Sequence, residues 1–500
     1  MNSDKIVKIP SNEGGPFTNQ NKRVSFVVPP NSGVYDLSKS YLEFNCSVSQ
    51  ADNNNPVVPI IDFLKEDGAT PHQEALDNVT LIKNASMSCQ NRGSIADIRR
   101  VDMLHNNFKQ YLNKKDKYRS ENYKQLVQPR DDSGNMNSIF REIRREGINK
   151  SKIVNAPVIV PLSDIFGFGQ TKFYDSEKYG RTSIKTELNM DKIQVSQDFK
   201  VASVVACLDL TVNRGADCKS LFITLGGTTA ARMLRLEDVP VFVGQNINIR
   251  ATKGGNASAI DANGLNRTIE EIVLNNAPFT DANSGTVQIK FNDTLNSTGS
   301  GVLGGGDSYS GVSLRGVDNA CTFSCDTADI VLRKVSNAPE MSDEITYKEF
   351  STEEHTAGGV QNFQRQFQVE PEAINLYVVK ADEQNSVNGA NGITSYRLRI
   401  DNEDATDRDV VYRSPLYYDR LNTTFINGNN QVENLNEESR EIDATVRTTS
   451  DYYREANKSL VMVCNPMPMT PSEKLVQVNI TSGGATLKNI NLYKELVKSV

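Results

Sequence analysis

The chain contains 500 residues with a mass of 55.4 kDa, which is enough for roughly two to four domains. Hydrophobic residues make up 38% and charged residues 23% of the sequence, a balance that excludes a globally disordered chain. The net charge of −7 gives no whole-protein reason to expect nucleic-acid binding.

The lack of a recognisable export signal and the pattern of cysteines both lead us to expect synthesis inside the cell. The sequence has no run of about 18 apolar residues, so we expect no membrane-spanning helix. Its opening, MNSDKIVKIP, lacks the apolar core of a secretory signal. Seven cysteines are scattered along the chain, an odd number that favours free, buried thiols over a disulfide framework.

The first patterned stretch covers residues 23–48, where two segments flank the break Pro-Pro-Asn-Ser-Gly. Apolar residues alternate with polar ones in both segments, as Leu42, Phe44 and Cys46 do, and a period of two is typical of half-buried strands. The sequence therefore predicts a hairpin close to the N-terminus. Another strand is expected at 78–89, after a long polar connection.

A helical pattern follows at 94–112. Apolar residues recur there at steps of three and four, and Ser94 with Asp97 is close to a capping box. The apolar face consists of Ile95, Ile98, Val101, Leu104, Phe108, Tyr111 and Leu112. We therefore expect one clear helix inserted in a chain that is otherwise rich in strands.

Strand patterns dominate the C-terminal third. Alternating segments at 374–378, 396–400 and 476–480 are separated by turn sequences such as NSVNGANG and INGNNQ. Many short strands without a β-α-β rhythm predict antiparallel sandwiches or barrels. Residues 201–319 are rich in glycine, and the stretch NSTGSGVLGGGDSYSGVSLRG within them is expected to be a flexible loop.

No combination of residues in the sequence predicts catalysis. Gly299, Gly301 and Gly304 satisfy G-x-G-x-x-G, but no helical pattern follows them to receive a pyrophosphate. Three histidines are present, and none has a cysteine or carboxylate at zinc-ligand spacing; they are His72, His105 and His355. Cys321 and Cys325 lack a second pair, so packed thiols in a strand are expected. We predict neither a catalytic site nor a cofactor.

Charged clusters leave alternatives open. The run DNEDATDRD offers clustered carboxylates for a calcium ion, from Asp401, Asp404, Asp407 and Asp409, but it lacks EF-hand spacing, and a solvated turn is the alternative. Basic runs at 109–119 and 141–152 suit contact with nucleic acid or anionic lipid, or they are solvated faces.

Several segments carry a family resemblance. The apolar run NAPVIVPLSDIFGF at 155–168 leads into the alternating pattern of 179–193. The remaining segments lie at 327–350, 395–425 and 475–496. Together they cover about half of the chain and resemble double jelly-roll major capsid proteins, above all those of Polinton-like viruses, virophages and adintoviruses. In that family the segment at 327–350 corresponds to the crossing between two jelly rolls.

The resemblance implies a mainly β fold of two antiparallel eight-stranded jelly rolls with inserted helices and long loops. It implies an N-terminal arm at 1–22, a first jelly roll at 23–198, a connecting or tower insertion at 199–326, and a second jelly roll at 327–500. The implied function is that of a major capsid protein of a DNA virus or virus-like integrated element. Pseudo-hexameric homotrimers would tile an icosahedral shell in the virion, in contact with neighbouring capsomers, penton proteins and minor capsid proteins.

Two other functions remain compatible with the strand pattern. One is a viral receptor- or glycan-binding β-sandwich protein, for which the acidic run would be the calcium site. The other is a membrane-shaping assembly scaffold of the same fold, for which the basic runs would contact lipid. An enzyme is the least expected class, since no catalytic constellation is present.

Overall fold

The computed structural model describes most of the chain. The described residues are 5–51, 59–65, 68–69, 76–105, 126, 139–140, 152–196, 198–200, 203–204, 220–224, 241, 243–253, 265–275, 286–292, 309–316, 320–336, 338, 344–360, 362–369, 373–381, 393–405, 408–411, 414–417, 462–466, 474–482 and 487–500. Within these ranges, strands are numbered β1 to β27 and helices α1 to α3 in chain order. None of the helices found there is long and apolar enough to cross a membrane.

Two facing sheets form the first jelly roll. One sheet has the order β1-β18-β3-β7, and the short strand β8 also pairs with β3; its strands are β1 (Lys5–Pro10), β18 (Cys321–Lys334), β3 (Val34–Gln50), β7 (Lys152–Pro161) and β8 (Tyr174–Asp175). The other has the order β2-β9-β5-β6, with β2 (Arg23–Val28), β9 (Thr182–Leu188), β5 (Ile82–Cys89) and β6 (Gly93–Arg99). Counted along the chain without β8, the eight main strands alternate between sheets as 1-8-3-6 and 2-7-4-5, which is the jelly-roll order.

Alternation of side chains explains why these strands form a sandwich. Phe26 on β2 and Ile184 on β9 are buried from one sheet, and Leu42 and Phe44 on β3 are buried from the other. Residues between them, such as Ser25 and Glu43, are only partly buried. The apolar faces of the two sheets therefore enclose the core, as expected for antiparallel sheets with one solvated face.

The second jelly roll repeats this order. One sheet is β19-β27-β21-β25, with β19 (Thr346–Val360), β27 (Leu487–Ser499), β21 (Ala373–Ala381) and β25 (Met462–Pro466). The other is β20-β26-β22-β23, with β24 also paired to β22; these are β20 (Asn362–Val369), β26 (Lys474–Ser482), β22 (Ile393–Ile400), β23 (Glu403–Asp404) and β24 (Val410–Val411). Its strands again read 1-8-3-6 and 2-7-4-5 when β24 is left out, so the chain is a double jelly roll.

An inserted β domain separates the last two strands of the first jelly roll. Its strands have the order β11-β17-β14-β15-β16-β13-β12; they are β11 (Asp198–Lys200), β12 (Ser203–Val204), β13 (Ser220–Thr224), β14 (Asn246–Lys253), β15 (Leu265–Asn275), β16 (Thr286–Phe291) and β17 (Tyr309–Gly316). Buried side chains such as Ile247, Ile289 and Phe291 lie outside the apolar cluster that the jelly rolls share. The insertion therefore has a core of its own.

Short elements complete the described part of the chain. A two-stranded ribbon pairs β4 (Ile60–Phe63) with β10 (Ile193–Ser196). Short helical segments include α1 (Val101–Leu104), α2 (Leu162–Ile165) and α3 (Ser176–Tyr179), and residues 139–140 and 415–417 are also helical. Three 3-10 turns lie at Asn78–Leu81, Phe168–Gln170 and Met190–Lys192.

The expected hairpin at 23–48 is wrong, although both of its strands exist. β2 pairs with β9 and β3 pairs with β18 and β7, so the two strands lie in opposite sheets. The break between them carries the chain across the sandwich. Strand periodicity identifies a strand but does not identify its partner, which here is far away in the sequence.

The helix expected at 94–112 is wrong in its first part. Gly93–Arg99 is strand β6, paired with β5, and the helix α1 begins only at Val101. A register shift in this pairing leaves Ile95, Ala96 and Ile98 buried, so the strand mimics helical spacing. Residues 106–112 lie outside the described residues. The strand expected at 78–89 is a 3-10 turn followed by β5.

Strand positions also differ from the expected segments at the N-terminus and in the middle. Lys5–Pro10, within the expected arm, is an edge strand paired with β18. The expected boundary at 326/327 falls inside β18, which belongs to the first jelly roll. The glycine-rich stretch at 296–316 ends in strand β17 rather than in loop, because Tyr309–Gly316 pairs with both β11 and β14.

Candidate functional site at the joint between the jelly rolls

The described parts of the two jelly rolls meet in a buried region, which we call the joint. It consists of residues 95–103 and 167–168 of the first jelly roll and residues 347–354 and 491–498 of the second. Apolar side chains from both sides, including Phe168, Tyr347 and Tyr493, belong to a single continuous core cluster. The joint is therefore a shared core and not a surface contact between separate domains.

A buried carboxylate connects the two jelly rolls. Helix α2 ends at Ile165, and the chain turns through Gly167 into the 3-10 turn that begins at Phe168. The amides of Gly167 and Phe168 donate to Glu349 Oε1 and Oε2 at 3.0 and 3.2 Å. Glu349 is fully buried on β19 and also accepts from the Phe350 amide at 3.0 Å. These donors compensate for the lost hydration of the carboxylate.

Only glycine fits at position 167. A Cβ atom there would lie 1.6 Å from the carbonyl oxygen of Lys348 and 2.7 Å from its carbonyl carbon. Both atoms are backbone, so a side chain at this position could not be relieved by a change of rotamer. The close approach of these two backbone segments lets the Glu349 carboxylate reach both amides.

Four aromatic rings pack beside this contact. Phe168 meets Tyr347 edge-on with ring centroids 5.0 Å apart, and it meets Tyr179 in the same way at 5.6 Å. Tyr174 stacks on Tyr179 at 5.0 Å. Burial raises the pKa of Tyr179 to about 12, and burial also raises the pKa of Tyr174 and Tyr347 above their ordinary range. The rings therefore stay neutral and apolar throughout the physiological pH range.

Hydrogen bonds to backbone carbonyls fix the other end of the joint. Tyr347 Oη donates to the Ile95 carbonyl at 3.2 Å, and Tyr493 Oη donates to the Arg100 carbonyl at 3.0 Å. Thr352 Oγ1 donates to the Arg99 carbonyl at 3.2 Å. Each bond links a side chain of the second jelly roll to the segment from β6 to α1 of the first, which sets the angle between them.

Buried charges brace this segment from inside the first jelly roll. Arg100 donates from Nε and Nη2 to the Asp102 carboxylate at 3.0 and 2.9 Å. Asn189 donates to Asp102 at 3.2 Å and to the Thr80 carbonyl at 2.7 Å. A buried ion pair with extra hydrogen bonds is costly to break, because loss of either partner leaves an uncompensated buried charge. Here it holds the backbone that receives the tyrosine hydroxyls.

The predicted calcium ligands contact other groups of the protein. Asp404 accepts from Arg397 at 2.6 Å and from Arg399 at 2.7 Å, and hydrogen bonds from these arginines hold its pKa below the ordinary range. Asp401 accepts from the Leu475 amide at 2.9 Å, and Asp409 lies 3.8 Å from Arg397. Asp407 lies outside the described residues. Across the described ranges, no group of three or more His, Cys, Asp or Glu residues could hold a metal ion.

Of the remaining sequence candidates, His355 lies next to the joint residue Glu353, and the others lie elsewhere in the described structure or outside the described residues. His105 is fully buried and its Nε2 lies 2.7 Å from Asp77 Oδ2, while His355 lies 3.3 Å from Glu353. Cys321 and Cys325 both lie on β18, as expected for strand thiols. His72, the glycines at 299–304 and the basic run at 109–119 fall on residues that are not described, as does the run at 141–152 apart from the backbone at position 152.

Sequence reasoning missed Gly167 and Glu349 as partners. Both lie in segments that carried the family resemblance, at 155–168 and 327–350, yet no spacing signal connects them because 182 positions separate them. A glycine after an apolar run predicts a turn and nothing about the chain that approaches it. Only the tertiary fold brings the two segments together.

Comparison with known proteins gave likenesses in structure only. No protein-family model and no curated relative matches the sequence. The chain is similar to the Faustovirus major capsid protein at 9% identity, covering 99% of this chain and 90% of that chain with a TM-score of 0.45. It is similar to a cryo-EM structure of the Sputnik virophage at 9% identity, 100% and 86% coverage and a TM-score of 0.36. Likeness to the STIV MCP reaches 8% identity, 99% and 97% coverage and a TM-score of 0.32.

Proposed function

We propose that this chain is a major capsid protein of a DNA virus or of a virus-like integrated element. The observation that carries the proposal is the repetition of one strand order, 1-8-3-6 and 2-7-4-5, in two jelly rolls joined through a single core. Jelly rolls serve many functions, so one copy would say little. Two copies held at a fixed angle give a block with approximate internal symmetry, which is suited to tiling.

Three such blocks around a threefold axis present six jelly rolls. The outline of this homotrimer is pseudo-hexameric, and hexagonal units with closed symmetry can tile the faces of an icosahedral shell. The joint matters in this function because a change in the angle between jelly rolls would change the outline of the capsomer. Glu349, Gly167 and the tyrosine cluster are then positioning residues, and the chain needs no catalytic group.

The division of the chain follows from the same proposal. We assign 5–196 together with 321–334 to the first jelly roll, 198–316 to a tower that faces outward, and 346–500 to the second jelly roll. Asp198 on β11 pairs with Arg315 on β17, so the insertion begins and ends on neighbouring strands. Adjacent ends are typical of domains that are inserted into a host domain without disturbing it.

Partners and location extend the proposal. The trimer contacts neighbouring capsomers, penton proteins and minor capsid proteins in the virion, after synthesis inside the host cell. The basic runs at 109–119 and 141–152 are candidates for contact with nucleic acid or a membrane. Within the acidic run that would hold the calcium ion of a glycan-binding protein, Asp404 pairs with Arg397 and Arg399 instead.

Negative-stain imaging of the purified full-length protein tests the proposal. We expect particles with hexagonal projections, and sheets or shells of such particles at high protein concentration. A matched comparison is Gly167→Ala against Gly14→Ala, since a Cβ at Gly14 has no neighbour within 4 Å. The proposal requires fewer hexagonal particles for the first variant and an unchanged number for the second. Irregular particles of monomer size from the wild-type protein would contradict it.

A further inference from the structure

Two thiols face each other inside the first jelly roll. Cys46 lies on β3 and Cys325 on β18, and the two residues are directly opposite in the antiparallel pairing. Their sulfur atoms are 3.2 Å apart, and both side chains are fully buried. The contact joins positions 279 residues apart in the sequence. It lies in the first sheet, away from the joint.

Backbone pairing places these residues at a distance that a disulfide can span. The Cys325 amide donates to the Phe17 carbonyl at 3.0 Å, and the Phe17 amide donates to the Cys325 carbonyl at 2.7 Å. The amide and carbonyl of a strand residue point to the same side, so Cys325 forms a non-hydrogen-bonded pair with Cys46. Cα atoms in such pairs lie about 4.5 Å apart, within the range of about 4.4–6.8 Å that disulfides span.

The neighbouring cysteines have different surroundings. Cys321, at the start of β18, is only partly buried, and burial raises its pKa to about 11. Cys89 lies in the opposite sheet and accepts a hydrogen bond from Thr182 at 3.1 Å. These two residues provide matched controls in the same jelly roll, because the residues opposite them in the sheets are not cysteines: Cys321 is paired with Gln50, and Cys89 is paired with Gly93 and Thr182.

We propose that Cys46 and Cys325 form a disulfide when a peroxide-class oxidant reaches the folded protein. One thiolate attacks a peroxide oxygen, which gives a sulfenic acid and one molecule of water. The second sulfur then attacks the sulfenic sulfur, forming the S–S bond as a second water leaves. The two thiols lose two hydrogens in total, and one hydrogen peroxide is reduced to two waters.

The bond would fasten the strand that follows the insertion. β18 closes the first jelly roll only after the chain has passed through the whole inserted domain, and a link to β3 would prevent it from leaving the sheet. A crosslink that closes a long loop removes much conformational freedom from the unfolded chain. Such a lock suits a protein made in a reducing compartment and later exposed to oxidising surroundings. It does not depend on the proposed capsid function.

Burial sets the rate of this reaction. Burial raises the pKa of the Cys46 thiol well above its ordinary value, and the neighbouring Cys325 raises it further, so the reactive thiolate is rare in the closed protein. Oxidation therefore proceeds through transient opening of the strand pair and is slower than oxidation of an exposed thiol. Alkaline pH and mild warming are expected to accelerate it.

Peptide mapping of the intact protein tests the proposal. The full-length protein is freed of reductant and treated with hydrogen peroxide, the peroxide is removed, and the remaining thiols are then blocked with N-ethylmaleimide in denaturant before digestion. We expect a linked peptide pair containing Cys46 and Cys325 that dithiothreitol separates. The melting temperature of the oxidised protein should exceed that of the reduced protein by roughly 5 °C.

Variants and alternative products decide the outcome. Cys321→Ser and Cys89→Ser should keep the linked pair, whereas Cys46→Ser should lose it along with the gain in melting temperature. Full maleimide labelling of both thiols after prolonged peroxide treatment would overturn the proposal. So would sulfinic acid at either residue without the link, or a link from Cys325 to Cys321. Because mapping of the wild-type protein alone gives these results, a variant that fails to fold does not affect the decision.

Discussion

Replacing Gly167 by alanine is the sharpest perturbation of the joint. The backbone there is helical, with φ −62° and ψ −39°, so alanine adopts it without strain and the effect is purely steric. The new Cβ would lie 1.6 Å from the Lys348 carbonyl oxygen, and the two backbones must therefore move apart. This movement also pulls the amides of Gly167 and Phe168 away from Glu349, which they now contact at 3.0 and 3.2 Å.

The expected loss of stability follows from two effects, the steric overlap and the weakened hydrogen bonds to Glu349. Overpacking of a dense interior costs about 1–3 kcal/mol. A hydrogen bond to a charged group contributes about 1.5–3 kcal/mol, and the substitution weakens two of them. We expect a total loss of about 3–5 kcal/mol in the free energy of unfolding. For a unit the size of one jelly roll, this corresponds to a fall in melting temperature of roughly 10 °C.

Differential scanning calorimetry measures this effect. Gly14→Ala is the control, since a Cβ there meets no atom within 4 Å, and its melting temperature should equal that of the wild type. Equal melting temperatures for Gly167→Ala and Gly14→Ala would refute the reasoning, because the joint would then tolerate a side chain that the structure has no room for.

Four further predictions concern other parts of the chain. Excision of residues 198–316 with a short Gly-Ser link should leave both jelly rolls folded by circular dichroism, because the insertion has a separate core; loss of the native spectrum would contradict this. Deletion of residues 1–22 should lower the melting temperature strongly, since it removes β1 and the buried Phe17. A melting temperature equal to that of the full-length protein would show that neither β1 nor Phe17 stabilises the fold. Calcium at millimolar concentration should not shift the melting temperature, because Arg397 and Arg399 hold Asp404; stabilisation would restore the calcium hypothesis. Burial raises the pKa of Tyr179 from 10.0 to about 12, so the stability that this residue contributes is complete below pH 10 and is lost as the pH rises through 12. Absorbance titration of the folded protein should therefore detect tyrosines that ionise well above pH 10. Uniform tyrosine ionisation near pH 10 in the folded protein would contradict the burial.

Period-two patterns predicted the positions of the strands correctly, but they did not predict which strands pair with one another. The segments at 23–28 and 42–46 and the three C-terminal segments are all strands in the structure. Their alternation follows from one buried face, which is a local property of each strand. Pairing is a non-local property, and the hairpin expected from β2 and β3 failed because both strands find partners more than 100 positions away.

The prediction for the residues of β6 was wrong for a different physical reason. A register shift against β5 buries the adjacent residues Ile95 and Ala96, which breaks the alternation that identifies a strand. With Ile98 and Val101 also buried, the spacing matches a helical face. The spacing of apolar residues therefore predicted a helix where the structure has a strand, in the segment where the first jelly roll meets the second.

The joint could not be predicted from spacing at all. Its contacts depend on a glycine and a glutamate that meet only after both jelly rolls have formed. The family resemblance pointed to the two segments that contain them but gave no reason for their composition. The structure supplies this reason, because one segment provides two amides and a close approach and the other provides a buried carboxylate.

The mass of the purified protein in solution tests the central claim most directly. Light scattering coupled to size-exclusion chromatography should give a mass three times the 55.4 kDa of the chain, independent of concentration over the range in which lattice contacts are absent. A stable species of 55.4 kDa at the highest concentration would contradict the account, since two jelly rolls alone cannot form a hexagonal unit.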